Sequence, residues 1–191
     1  MGRPREFDVD EALDRAMKVF WQKGYEGTTI PDLTDAMGIN RPSLYAAFGS
    51  KEELFRKAVD RYAEHQGCFI EDALKEPKAR TVAERLLVGA INVVTDRRNP
   101  KGCLMVQGAL VCGEGAESLR NELISRRLSR ETALRQRFER AKLEGDLPLD
   151  FHPADLARFV IALIQGIAVQ AAGGASRAEL QRVAEIAMKA W

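Results

Sequence analysis

Apolar residues recur at helical spacing along almost the whole chain, and this pattern restricts the fold more than any other feature. In the first segment Leu13, Met17 and Phe20 lie three or four residues apart, so they share one face of a helix. No convincing run alternates apolar and polar residues between turns, as a half-buried strand would. The sequence therefore predicts an all-α protein of about nine helices, with no internal repeat.

Capping residues and glycines indicate where the predicted helices begin and end. Asp8, Thr29 and Ser50 can each accept hydrogen bonds at a helix start, and Gly24 and Gly38 can each end a helix. The helices are predicted at about residues 9–23, 29–37, 41–48, 50–75, 81–95, 103–112, 116–144, 153–172 and 176–191.

Composition excludes several classes of protein. The chain has 191 residues, of which 46% are hydrophobic and 30% charged, as in soluble globular proteins. No stretch approaches the run of about 18 uncharged apolar residues that a membrane span needs, and the charged N-terminus lacks the apolar core of a secretory signal. We therefore expect a cytoplasmic protein with no membrane partner. Three cysteines and two histidines without metal-like spacing predict no metal and no cofactor.

A very short predicted helix after Asn40 indicates nucleic-acid binding. A helix of this length is marginal alone, so its neighbours must hold it. Asn40 can cap it, and Leu44 and Phe48 can anchor it on the first helix. An arginine and hydroxyls at the exposed N-terminal end of such a helix suit base reading in a major groove. The residues left on its open faces are Arg41, Pro42, Ser43, Tyr45 and Ala46.

Three motifs in this region resemble the DNA-binding domain of the TetR/AcrR transcriptional regulators. They are GYEGTTI from Gly24, MGINRPSLY from Met37 and FGSKEEL from Phe48, and the match covers about residues 8–58. The resemblance implies a dimeric, all-helical, ligand-responsive repressor. It also implies that Thr29, Tyr45 and Lys51 touch phosphates while the start of the third helix reads bases. The candidate DNA contacts are Thr28, Thr29, Asn40, Arg41, Pro42, Ser43, Tyr45, Ala46 and Lys51.

The sequence departs from the family pattern at Ala46-Ala47, where many members carry a bulky or polar pair. Contacts usually made there are either missing or replaced by contact with a thymine methyl. Two candidate contacts have structural alternatives. Lys51 could be a solvated lysine at a helix start, where the helix dipole favours anions, and Tyr45 could pack half-buried on the first helix.

The candidate DNA-binding region is not basic overall. Residues 1–62 contain 10 Lys and Arg against 11 Asp and Glu, a net charge of −1. Its surface must therefore segregate charge, with the acidic residues near its start turned away from DNA. Arg3 and Arg5 could form an extended arm in a minor groove or belong to a disordered tail. The acidic residues in question are Asp8, Asp10, Glu11 and Asp14.

The sequence divides into a helix-turn-helix domain at residues 1–58 and a helical ligand-binding and dimerisation domain at 59–191. The helix at 153–172 is apolar on more than one face, so we expect a partner subunit to cover part of it. A central core helix in a monomer is the alternative. The predicted interface residues are Phe159, Leu163, Ile164, Ile167, Ala168, Ala171, Val183 and Ile186.

The segment after Cys103 is the candidate wall of a ligand pocket, because it combines soft apolar side chains with one amide and one thiol. Plain core is the alternative for the predicted lining, which is Cys103, Met105, Gln107 and Phe138. Five arginines of the long charged helix are expected to form a solvated face paired with Glu131 and Glu139, and an acidic-ligand site is the minority interpretation. These are Arg126, Arg127, Arg130, Arg135 and Arg137.

These features together predict a homodimeric repressor that a small-molecule inducer, unknown in identity, releases from a palindromic double-stranded operator. Covalent or redox sensing through Cys103 is an alternative, because cations such as Arg97 and Arg98 favour a reactive thiolate. An all-helical enzyme and an architectural DNA-binding protein are the rivals from other classes. We find no nucleophile–base pair and no phosphate-binding glycine loop, so no enzyme activity is expected.

Overall fold

The computed structural model describes residues 7–110 and 117–191, and every regular element within them is helical. The all-α fold class is therefore confirmed. The elements are α1 (Val9–Lys23), α2 (Ile30–Met37), α3 (Arg41–Phe48), α4 (Lys51–Gln66), α5 (Cys68–Leu74), α6 (Ala79–Thr95), α7 (Leu104–Leu110), α8 (Glu117–Leu143), α9 (Pro153–Ala172), α10 (Arg177–Ala187) and a final 3-10 turn (Met188–Ala190).

The described part of the chain contains ten α-helices rather than about nine, because the helix predicted at 50–75 is two helices. α4 ends at Gln66, and the N–H of its C-cap residue Gly67 donates to the carbonyl oxygen of Ala63 at 3.1 Å. α5 begins at the residue after Gly67. A Cβ atom at Gly67 would lie 2.5 Å from that same oxygen. The absence of a side chain therefore lets the backbone bend at this point.

The predicted capping residues are confirmed. The side chain of Asp8 accepts hydrogen bonds at the start of α1. Thr29, Ser50 and Ser176 each form a complete capping box with an acidic residue three positions later. These local signals explain why α2, α4 and α10 begin where they do.

Two hydrophobic clusters form the interior. The first joins α1–α4 and the second joins α6, α8, α9 and α10. Cys103, just before α7, packs against both clusters. α7 therefore connects the N-terminal helices, which we call the head, with the rest of the chain, which we call the body. The body residues that belong to the first cluster are Leu104, Met105, Leu119 and Leu123.

By length and composition α9 is apolar enough to cross a membrane, whereas the sequence predicted no such segment. In the fold it packs against α6 and α8 and contributes Val160 and Ile167 to the second cluster. Burial in this core accounts for one of its apolar faces.

Candidate nucleic-acid interface and internal cavity

The α2–α3 unit is shaped by its caps and by one glycine. Thr29 caps α2 and Gly38 ends it with φ of 69°, in the left-handed region that glycine adopts without steric cost. The hydrogen bond from Lys23, together with those from Thr29, lowers the pKa of Asp32 to about 2. The ionised Asp32 carboxylate thus ties the start of α2 to the end of α1, where Lys23 lies 2.6 Å from it.

α3 is anchored on one face and open on the other. Leu44 and Phe48 are buried in the first cluster, as predicted. The Asn40 side chain accepts a hydrogen bond from the Ser43 backbone N–H at 2.8 Å, so Asn40 caps this helix. Pro42 lies in the first turn, where a backbone N–H has no partner inside the helix.

The open face of α3 carries a cationic and an aromatic side chain in contact with each other. The Arg41 guanidinium lies over the Tyr45 ring, 5.5 Å from its centre, and donates to the Tyr45 hydroxyl at 3.4 Å. Tyr45 is 40% exposed, so it is not packed on α1. Pro42 and Ala46 are exposed on the same helix, and Ser43 is half-buried. The face therefore presents a guanidinium, a phenol and small side chains to solvent.

Lys51, at the start of α4, is placed by an aromatic ring. Its ammonium lies 4.4 Å from the centre of the Tyr25 ring, a distance typical of a cation–π contact. This contact offsets the unfavourable position of a cation at a helix N-terminus. Thr29 is exposed at the start of α2 while its hydroxyl caps that helix.

Thr28 is placed differently from the other candidate contacts. Its side chain is only 1% exposed, and its hydroxyl donates to the carbonyl oxygen of Gly24 at 2.6 Å. The hydroxyl closes the turn between α1 and α2, so this side chain does not lie on the surface where the sequence placed it. Arg3 and Arg5, the proposed arm, lie outside the described residues.

The acidic residues of α1 are engaged with basic side chains. Arg61 of α4 donates to Asp14 at 2.8 Å and to Asp10 at 3.3 Å. Glu11 accepts from Arg15 at 2.6 Å. These ion pairs compensate acidic charge on α1, and α3 itself includes no acidic side chain.

Two adjoining cavities lie inside the body, and we call them the paired cavities. The first has a volume of about 70 Å³ and extends between Leu86, Leu134 and Ile161. The second has a volume of about 60 Å³ and is bordered by Tyr62 of α4. Their walls are mostly apolar with a few polar groups, a composition typical of ligand sites. The residues that line both cavities are Ile70, Cys103, Val106, Arg130 and Ile164.

The sequence located this cavity only in part. Cys103 and Met105 line it, whereas Gln107 and Phe138 are not among its lining residues. Phe138 is fully buried in the second cluster and packs edge-on against Trp191, with ring centres 5.6 Å apart. Ile164, which is also predicted for the dimer interface, lines the cavity. Helical spacing alone does not show which face of α9 meets a void.

Tyr62 was not predicted as a site residue, yet it joins the second cavity to the head. Its hydroxyl donates to the Cys103 sulfur at 3.2 Å, and its ring meets Trp21 of α1 edge-on at 4.7 Å. Burial, followed by the neighbouring Cys103, raises the pKa of Tyr62 well above its usual range. The phenol therefore stays protonated and remains a donor.

α9 and α10 both expose apolar side chains beside a common groove, which Leu163 and Val183 line. Phe159 and Val169 of α9 are 41% and 53% exposed, and Val183 and Ile186 of α10 are 42% and 66% exposed. Leu163 is half-buried. Three other residues predicted for the interface are covered by the second cluster of their own chain and need no partner to bury them. They are Ile167, Ala168 and Ala171.

A capped, anchored α3 with an exposed guanidinium, joined to a helical body that contains a cavity, defines a helix-turn-helix DNA-binding regulator. Comparison with protein families agrees. Residues 12–58 match the family described as bacterial regulatory proteins, tetR family, and residues 82–187 match the tetracyclin repressor-like C-terminal domain. The chain belongs to the TetR family of transcriptional repressors, which bind DNA and are not enzymes.

Individual relatives extend over the whole chain. The HTH-type transcriptional repressor ComR of Escherichia coli (strain K12) is 35% identical over 192 residues, covering 100% of this chain and 91% of its own. A cysteine mutant of the TetR family regulator CifR, complexed with 26 bp double-strand operator DNA, has a TM-score of 0.94 at 42% identity and covers 100% of both chains. A TetR regulator from Rhodococcus sp. RHA1 has a TM-score of 0.65 at 42% identity, covering 94% of this chain and 96% of its own.

Proposed function

We propose that this repressor acts as a homodimer on a palindromic operator and is released when a small molecule enters the paired cavities. The observation that carries the proposal is the position of Cys103 and Tyr62. Both border the cavity, and both touch the cluster that supports α3. A ligand that changes their packing changes the support of the DNA-binding helices.

The proposed DNA contacts follow from the open face of α3. Arg41 and Ser43 read base edges, with Asn40, Pro42 and Ala46 close to the bases, while Tyr45 binds a phosphate. At the ends of the neighbouring helices, Thr29 and Lys51 bind phosphates. Thr28 supports this surface from within by holding the preceding turn.

The proposed dimer forms through the exposed apolar face of α9 and α10. Phe159, Val169, Val183 and Ile186 lie on this face, and exposed apolar patches of this kind mark interaction surfaces. A two-fold axis through the face makes the contact self-complementary. It also provides the two copies of α3 that a palindromic operator requires.

The proposed DNA-binding domain ends near residue 58, and the proposed ligand-binding and dimerisation domain begins at 59. α4 spans Lys51–Gln66 and runs continuously across this boundary. It carries Lys51 at one end and Tyr62, beside the cavity, near the other. A rigid helix of this kind transmits a displacement from the cavity to the DNA-binding surface. We propose that the protein works in the cytoplasm, where bacterial DNA is accessible to it.

Footprinting on the DNA that flanks its own gene tests the operator. We expect protection of an inverted repeat whose half-sites lie on one face of the duplex, about one helical turn or a multiple of it apart. Protection of a single unrepeated site would contradict the dimeric arrangement. Operator release is then measured by fluorescence anisotropy with a panel of apolar and amphipathic small molecules.

A second candidate is covalent sensing, because the half-buried Cys103 sulfur borders both cavities. In this reaction the sulfur adds to a ring carbon of a quinone: the C–S bond forms, the C=C π bond breaks, and its electron pair moves to the conjugated carbonyl oxygen. The thiol proton passes to water, and water protonates that oxygen. Release by a quinone in the wild type but not in Cys103→Ser would establish this route. Release of both proteins by an unreactive compound supports the non-covalent one.

A further inference from the structure

Two arginines of α8 border the paired cavities. Arg127 and Arg130 are three residues apart, so they lie on the same side of the helix. Both are half-buried and line the first cavity, and Arg130 also lines the second. The remaining lining of both cavities is largely apolar. Two cations at an apolar void are costly to retain without a counter-charge.

The Arg130 guanidinium lies where α4 meets α5. One of its terminal nitrogens is 3.4 Å from the position that a Cβ would occupy at Gly67. Burial raises the pKa of Tyr62, and the charge of Arg130 opposes that shift. Arg130 and Tyr62 both border the second cavity.

Other arginines of α8 do have partners. Arg126 contacts Asp60 at 2.7 Å and Glu122 at 2.8 Å. Arg135 contacts Glu139 at 3.4 Å, as the sequence predicted.

Glu131 does not pair with an arginine of its own helix but with Arg158 of α9, at 3.2 Å. Arg137 is 5% exposed and donates to the carbonyl oxygen of Glu76 at 2.7 Å. The five arginines are therefore not one solvated face. Neither Arg127 nor Arg130 has an ion pair or hydrogen bond with any carboxylate of the described residues.

We propose that the paired cavities bind an amphipathic anion, with its apolar body between Leu86, Leu134 and Ile161 and its carboxylate at Arg127 and Arg130. Guanidinium groups bind carboxylates through short, charge-assisted hydrogen bonds. The apolar walls supply affinity through burial, and the arginines select the charged head. If the proposed function holds, such an anion is the inducer, but binding itself is measured on the protein without DNA.

Three probes with the same chain and different heads test this directly: octanoate, n-octanol and octylamine. Isothermal titration calorimetry measures their binding to the wild type and to the double variant Arg127→Gln, Arg130→Gln. We expect octanoate to bind at least about ten-fold more tightly than n-octanol, and octylamine to bind most weakly. In the double variant the preference for octanoate disappears while n-octanol binding persists, which also shows that the cavity is still folded.

Arg120→Gln is the matched control, because Arg120 is an exposed arginine of α8 outside the cavity lining. It should leave the preference for octanoate unchanged. Equal binding of octanoate and n-octanol by the wild type, an octanoate preference that survives in the double variant, or no octanoate binding at millimolar concentration would each overturn the proposal. Octanoate binding without operator release would support the anion site and contradict the proposed switching function.

Discussion

At the residue scale, Arg41 and Tyr45 form a small preorganised unit on the open face of α3. The guanidinium lies over the ring, 5.5 Å from its centre, in the absence of DNA. This contact restricts the rotamers of both side chains before binding, which lowers the entropy lost when they meet a duplex. We expect Arg41 to reach a base edge from this position while Tyr45 meets the adjacent phosphate.

Replacing Arg41 with alanine should therefore weaken operator binding by about 1–3 kcal/mol and relax specificity at one base pair in each half-site. The measurement is fluorescence anisotropy on the operator and on operators altered at single positions. Arg140→Ala, which removes an exposed arginine at the far end of α8, is the control and should have no effect. Unchanged affinity in Arg41→Ala would show that α3 is not the reading helix.

Lys51 is expected to act through charge rather than base reading. Tyr25 holds its ammonium at the start of α4, where a phosphate can approach. Lys51→Ala should weaken binding to all sequences alike. It should also reduce the slope of log affinity against log salt concentration by roughly one unit. Lys75→Ala, which removes an exposed lysine of the body, should leave the slope unchanged. Loss of specificity without a change in slope would contradict a phosphate role.

Residues whose role depends on their near neighbours in the chain could be predicted from the sequence. Residues whose role depends on tertiary packing could not. Asn40 and Leu44 were predicted because capping and helical spacing depend on near neighbours. Thr28 and Thr29 are adjacent and chemically identical, yet one is buried and one exposed, because the turn after α1 rotates the chain between them. Likewise, helical spacing could not show that Arg127 lines the cavity while its neighbour Arg126 forms ion pairs.

At the scale of whole elements, α9 has two apolar faces with different partners. The face containing Ile167 and Ala168 is buried by the rest of the same chain, whereas Phe159 and Val169 lie on an exposed face. The apolar composition of α9 could be read from the sequence, but its division between core and interface could not. In the same way, the break between α4 and α5 depends on the single residue Gly67. The apolar pattern continues at helical spacing across this residue, so the pattern did not predict the break.

Charging the exposed face should separate the protomers without unfolding them. We expect the double variant Val169→Arg, Ile186→Arg to sediment as a monomer in analytical ultracentrifugation, because paired guanidiniums across a two-fold axis repel and lose solvation. Its circular dichroism should remain helical, and its operator binding should be lost. Leu128→Arg, which charges an exposed leucine of α8, should stay dimeric. A dimeric double variant would place the interface elsewhere.

At the scale of the whole molecule, the head and the body meet at two places. One is α7 with the residue before it, and the other is the first half of α8, where Arg126 contacts Asp60 of α4. Leu104 and Met105 belong to the first hydrophobic cluster, which lies in the head, while Val106 belongs to the second, which lies in the body. The paired cavities lie against this junction, with Tyr62 of α4 on their border. A ligand can shift DNA affinity only if it binds the non-operator arrangement more tightly than the operator-bound one. This junction is where we expect the two arrangements to differ.

At this junction, the hydrogen bond from Tyr62 to the Cys103 sulfur can be removed by deleting a single atom. Tyr62→Phe keeps the ring against Trp21 and deletes only the donor. We expect operator affinity without ligand to change little, since a single hydrogen bond contributes about 0.5–1.5 kcal/mol. The ratio of operator affinities without and with saturating octanoate should fall toward one, because the coupling between the two sites is itself only about 1–3 kcal/mol.

Cys103→Ala removes the acceptor of the same bond, so it should reduce that ratio by a similar factor. The double variant Tyr62→Phe, Cys103→Ala should then be no worse than either single change, since contacting groups that act as a unit are not additive. A ratio that is unchanged in Tyr62→Phe, or effects that simply add, would mean that the ligand signal reaches α1 and α4 through apolar packing around α7 instead of through this bond.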